Sequence, residues 1–146
     1  MKTIVKTITL ISAVSMLLAS TCKKEELPRS GDLQLNTPFE VPLKGKVFID
    51  SEGLELTVNE VTDARCPVDV QCFWAGNAKV KLNVLADGSE NQLSFCIGQC
   101  DTRYQKADTL QVEYHDKPYS LILTEVKPYP GAGNVKKSAV FVLQRR

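Results

Sequence analysis

One stretch constrains the fold of this chain more than any other. It reads Asp63-Ala64-Arg65-Cys66-Pro67-Val68-Asp69-Val70-Gln71-Cys72-Phe73-Trp74-Ala75-Gly76 and holds two of the five cysteines and the only tryptophan. On both sides, apolar and polar residues alternate with period two, the pattern of half-buried strands. The stretch is therefore expected to be a disulfide-closed loop between two β-strands. A ring closed over five intervening residues removes roughly 2 kcal/mol of unfolded-chain entropy, and Pro67 fixes one more backbone angle in it. Trp74 is expected to fold under the ring and bury up to about 250 Å². Gly76 would then return the backbone to the sheet where a Cβ would obstruct it. Asp63 and Arg65 are expected to pair across the neck of the ring.

The remaining chain repeats the short-strand pattern. Leu54, Leu56 and Val58 alternate with Glu55, Thr57 and Asn59, and the parity flips at Glu60-Val61, which predicts a β-bulge. Ala78, Val80, Leu82, Val84 and Ala86 form the clearest strand. Asp87-Gly88-Ser89-Glu90 predicts a hairpin that returns through Leu93, Phe95 and Ile97. Residues 98–108 read as a polar loop. Leu110, Val112 and Tyr114 alternate again. Residues 119–126 are apolar on both faces in part, as in a covered central strand, and Ala139 to Leu143 close the domain. Pro42 places the first strand, around Phe39 and Val41, at a sheet edge. No apolar stripe of helical period runs for three turns outside the N-terminal segment. These features predict an all-β fold of about eight strands, an antiparallel β-sandwich, with a small closed barrel as the alternative.

The 146 residues suffice for one domain, and the first of them read as an export signal. Lys2 and Lys6 precede an apolar run from Ile8 to Ala19, too short to span a bilayer core of about 30 Å. Leu18-Ala19-Ser20-Thr21-Cys22 resembles the lipobox of bacterial lipoproteins, with Thr21 where Gly, Ala or Ser is usual. The resemblance implies cleavage after residue 21 and acylation of Cys22, anchoring the protein to a membrane without a transmembrane helix. Cys22-Lys23-Lys24-Glu25-Glu26 is similar to the signal that sends some Gram-negative lipoproteins to the outer face of the outer membrane. The periplasmic face is the alternative. The expected organisation is a signal peptide over 1–21, a flexible tether over 22–36 and a β-sandwich domain over 37–146.

Loss of residues 1–21 removes two of 18 Lys+Arg and none of 17 Asp+Glu, leaving 16 against 17 and a net charge of −1. Such a chain has no cationic excess with which to attract nucleic acid. The Lys136-Lys137 and Arg145-Arg146 pairs read as solvated strand ends. With Cys22 set aside, four of the five cysteines remain, an even number in an exported protein, which predicts disulfides. Local pairing, Cys66 with Cys72 and Cys96 with Cys100, needs no assumption about the fold. The rival joins the two regions, for example Cys66 with Cys100.

Asp63-x-Arg65-Cys66-Pro67-x-x-Val70-x-Cys72-x-Trp74-Ala75-Gly76, with the strand that follows and the Pro128-Tyr129-Pro130 turn, is similar to a signature of small bacterial lipoproteins of uncharacterised function. The resemblance covers Phe39 to the C-terminus and implies no activity. The Cys96, Cys100 pair does not match that pattern.

The residues offer no assembled catalytic set. Nucleophilic catalysis by Ser or Cys requires a base, and the only histidine, His115, sits at a turn, out of phase with the buried positions of its strand. Cys-x5-Cys and Cys-x3-Cys spacing without a helix is not the arrangement of a thiol redox enzyme or of a structural zinc site. No calcium-loop spacing and no Gly-rich phosphate loop occur, and no cofactor is expected. The expected function is non-enzymatic binding of a protein partner at the cell envelope, with Arg65, Val68, Asp69, Val70, Gln71 and Trp74 as the contact residues. The alternatives are inhibition of an extracellular hydrolase by the same loop, and a thiol or metal enzyme.

Overall fold

A computed structural model describes residues 34–49, 51–133 and 135–146. The expected signal peptide, Cys22 and most of the tether lie outside these residues. The described chain is all-β: β1 (Pro38–Pro42), β2 (Lys46–Ile49), β3 (Leu54–Asp63), β4 (Asn77–Ala86), β5 (Ser89–Cys100), β6 (Arg103–Gln105), β7 (Asp108–Tyr114), β8 (Lys117–Lys127) and β9 (Ser138–Arg145). All strand pairings are antiparallel. One sheet has the order β1-β9-β8-β7 and the other β2-β3-β4-β5-β6. Two open sheets make this the sandwich, not the closed barrel.

The alternation read from the sequence decides which side chains fill the space between the sheets. On β4, Ala78, Val80, Leu82 and Val84 are buried, while Lys79 and Lys81 face water. Leu54, Leu56 and Val58 do the same on β3. Opposite them stand Tyr119, Leu121, Leu123, Val126 and Phe141. Phe95 and Phe141 meet edge to face across the core, with ring centroids 5.4 Å apart. The chain crosses between sheets at Leu43, whose amide bonds Lys137 of one layer while the next amide, of Lys44, bonds Val58 of the other. The expected bulge in β3 lies between Val58 and Glu60, where one extra residue shifts the register against β4.

Two differences from the sequence reading concern the region beside the cysteines and the start of the domain. There are nine strands because residues 98–108 are not a loop. β5 runs on to Cys100, turns at Asp101 and returns as β6, paired at Gly98, Gln99 and Cys100. The polar composition hid this ladder, since β6 has only three residues and they are mostly exposed. The domain also begins earlier than residue 37: Leu35 packs against the core and the Asn36 amide bonds the Leu143 carbonyl at 2.8 Å.

The two ends of the sandwich differ. At one end, the Tyr119 hydroxyl donates to the Glu52 carboxylate, and that of Tyr114 donates to Asp87 at 3.1 Å. Burial, followed by these carboxylates, pushes both phenols above their ordinary range. His115 is exposed beside Asp87, as its turn position predicts. The cysteine stretch forms the other end.

Candidate functional site

The β3–β4 hairpin continues past its regular strands. The Ala64 amide bonds Asn77 at 2.8 Å, and that of Cys66 bonds Ala75 at 2.9 Å. Only residues 67–74 project beyond this ladder. Gly76 makes the closure possible: its φ is +68°, and a Cβ there would collide with the Ala64 carbonyl oxygen. Its own carbonyl accepts from the Gln99 amide at 2.8 Å. Gly98, at φ +93°, lets β5 pass so close that a Cβ would lie 2.6 Å from the Gly76 oxygen. A pair of glycines therefore sets the base of the loop against the neighbouring strand.

The cysteines pair locally. Cys66 and Cys72 are bonded with Cα atoms 5.9 Å apart, and Cys96 and Cys100 with Cα atoms 6.1 Å apart. The second bridge lies within a single strand, where four extended residues would span about 13 Å. The bend at Gly98 brings its ends together. Inside the first ring, the Val70 amide bonds the Pro67 carbonyl at 3.2 Å, so Val68 and Asp69 form the corners of a turn.

A charged network holds the ring in place. Arg65 makes a two-pronged bond to Asp63, Nε to Oδ1 and Nη2 to Oδ2, each 2.8 Å. Its Nη2 also donates to the Val126 carbonyl at 2.7 Å. Lys137 Nζ donates to Asp63 Oδ2 and to the Pro128 carbonyl, both at 2.7 Å. The Arg65 guanidinium lies over the Tyr129 ring, 4.2 Å from its centroid. The Asp63 side chain is only 3% exposed. Burial alone would raise its pKa, but the hydrogen bonds from Arg65 and Lys137 outweigh that and hold it below the ordinary carboxylate value. Burial also works against the Arg65 charge, yet Asp63 reverses the balance and keeps it fully protonated. The expected Asp63–Arg65 pair is thus present, but along one strand instead of across the neck. Lys137 is not a solvated strand end: it is the third member of the network. Its distance of 74 residues from Asp63 left no trace in the sequence.

The network fastens the neck of the cysteine ring to Pro128, Tyr129 and Lys137, and the space at Gly131 opens onto Pro67, 3.5 Å from a Cβ placed there. Trp74 is 71% exposed, contrary to the expectation that it folds under the ring, and Phe73 beside it is fully exposed. Val68 and Val70 are exposed as well, with Tyr129 and Val135 on the adjoining turn. Of the expected contact residues, Val68, Asp69, Val70, Gln71 and Trp74 lie exposed on this loop, whereas Arg65 is largely buried as its anchor. Phe73, which the sequence reading did not single out, is exposed beside them.

The arrangement presents an apolar surface to water. Protein-family models, curated proteins and solved structures were each compared with the chain, and none matches.

Proposed function

We propose that this protein is a non-enzymatic binding module of the cell envelope, lipid-anchored through Cys22 at the outer membrane surface, that engages a protein partner through the Cys66–Cys72 loop. One observation carries the reading: Val68, Val70, Phe73 and Trp74 are all exposed on one short loop. Exposed apolar side chains scattered singly are ordinary, but a cluster of this kind on a stable domain marks an interaction surface. The disulfide, the glycine base and the Asp63 network hold the loop before any partner arrives. That lowers the ordering entropy that binding would otherwise lose. Aromatic side chains are the usual centres of binding energy in such surfaces.

The direction of the chain agrees with this reading. Asn36 bonds Leu143, in the half of β9 remote from residues 128–137. The described chain thus begins at the end of the sandwich opposite the loop, which is compatible with a tether that leaves the loop accessible. The hydrogen-bonded turn at residues 67–70 favours a docking tip over the hydrolase-inhibitor alternative, for which an extended, substrate-like segment would be expected.

The test replaces residues 68–71 with Gly and Ser inside the intact ring and measures partner capture from native envelope extracts. Loss of a partner that the unmodified protein retains is the expected result. Equal capture by both forms would refute the loop as the contact surface.

A further inference from the structure

A groove of about 460 Å³ opens beside the loop, on the outer face of β4 and β5. Its construction follows from the register. Lys79 stands opposite Cys96 and Lys81 opposite Ser94, while Asn77 faces Gly98, which has no side chain to fill the space. Trp74 borders the groove, as does the Cys96–Cys100 bridge with Asp101 beyond it. The volume lies within the range of small-ligand sites.

The polar groups in the groove are mixed in sign and in hydrogen-bonding sense. Lys81 is engaged by Glu60 at 2.8 Å. Lys79 has no ion-pair partner among the described residues and contributes donors alone. Asp101 contributes acceptors. The Asn77 amide donates to the Gln99 carbonyl at 3.1 Å, which leaves its own oxygen as an acceptor. The Gln99 side chain offers both. A polyanion would need a cationic excess, and here Asp101 offsets Lys79. A lipid chain would need an unbroken apolar floor, and Lys79, Lys81 and Asp101 interrupt this one. One common ligand class presents a dense array of hydroxyl donors and acceptors together with a flat C–H face that packs on an indole: the pyranose sugars.

We propose that the groove bordered by Trp74, Lys79, Gln99 and Asp101 is a saccharide-binding site, with a sugar ring on the Trp74 indole and its hydroxyls on the three polar side chains. This goes beyond protein docking by the loop. The two surfaces share Trp74, but the groove depends on Lys79 and Asp101, and the loop tip on Val68 and Val70.

Trp74 is the only tryptophan, so fluorescence excited where tyrosine does not absorb reports on this residue, and the groove and loop variants tell its two surfaces apart. The full chain, in a detergent without a sugar headgroup, is titrated with hexasaccharides of glucose, mannose, xylose, N-acetylglucosamine and galacturonate, and with a hexaglutamate peptide. The expected result is a saturable emission change with at least one saccharide. Lys79→Met and Asp101→Asn should each weaken that binding about tenfold, the loss of one charge-assisted hydrogen bond. Asparagine tolerates the left-handed backbone at position 101 as aspartate does. Val68→Ser with Val70→Ser should leave saccharide binding unchanged. No saturable change with any saccharide, a response to hexaglutamate alone, or saccharide binding indifferent to both groove substitutions would overturn the assignment. In each of those cases partner capture by the loop would be untouched, so the two readings fail separately.

Discussion

Lys137 donates to Asp63 across 74 residues of chain, Nζ to Oδ2 at 2.7 Å, and so links the turn before β9 to the last residue of β3. With Arg65 on the same carboxylate, two cations depend on one nearly buried acid. Removing a shared partner leaves the others desolvated and unpaired, which costs more than the pairs themselves are worth. Asp63→Ala should therefore destabilise the domain by about 2–4 kcal/mol, measured by chemical denaturation. Arg65→Lys should recover only part of the native stability, since an ammonium cannot make the two-pronged bond to Asp63 and also reach Val126. A change below about 0.5 kcal/mol for Asp63→Ala would match an ordinary surface substitution and contradict the network's role.

The same residue sets a pH dependence. The folded-state pKa of Asp63 is depressed below its ordinary value of 3.8. The folded form therefore binds fewer protons than the unfolded form between the two values, and stability rises with pH through that window. The contribution of Asp63 is fully present above the ordinary value and is lost as pH falls through the depressed one. Denaturation midpoints measured from neutral pH downward should show a steeper acid limb in the native protein than in Asp63→Asn. Parallel limbs would mean that Asp63 is not the group responsible.

Reduction should separate the loop from the sandwich. Each bridge closes a small ring, and opening one removes roughly 2 kcal/mol. The Cys66–Cys72 ring contributes no side chain to the core between the sheets, whereas the Cys96–Cys100 ring contributes Ile97. A thermal melt in strong reductant should shift down while remaining a single cooperative transition, and hydrogen exchange should accelerate first at residues 66–75. An unshifted melt would show that the bridges do not staple this end.

Much of this was legible in the sequence, for a definite reason. Period-two alternation reports which face meets the core, so Ala78, Val80, Leu82 and Val84 declared both β4 and its orientation. The parity flip at Glu60-Val61 gave the bulge, since one inserted residue reverses every later side chain. Cys66 and Cys72, and Cys96 and Cys100, lie too close in sequence for their pairing to need knowledge of the fold. What remained hidden depended on long-range contact. Lys137 looks like any lysine before a strand until Asp63 is placed beside it. Trp74 reads as an inward residue because large aromatic side chains usually are buried, and the contacts of Arg65 with Asp63, Val126 and Tyr129, which hold the neck of the ring without it, are not visible in the sequence. β6 was missed because a strand of three mostly exposed residues has no alternation to read.

The exposure of Phe73 and Trp74 is the centre of the functional account, and one paired measurement tests it most directly. The Phe73→Ala, Trp74→Ala double variant is compared with the native protein in thermal stability and in partner capture from native envelope extracts. Side chains that face water contribute little to folding, so the denaturation midpoint should be unchanged while capture is lost. A variant that melts markedly lower, with any loss of capture following its unfolding, would show that these aromatics serve the fold and contradict the binding-loop account.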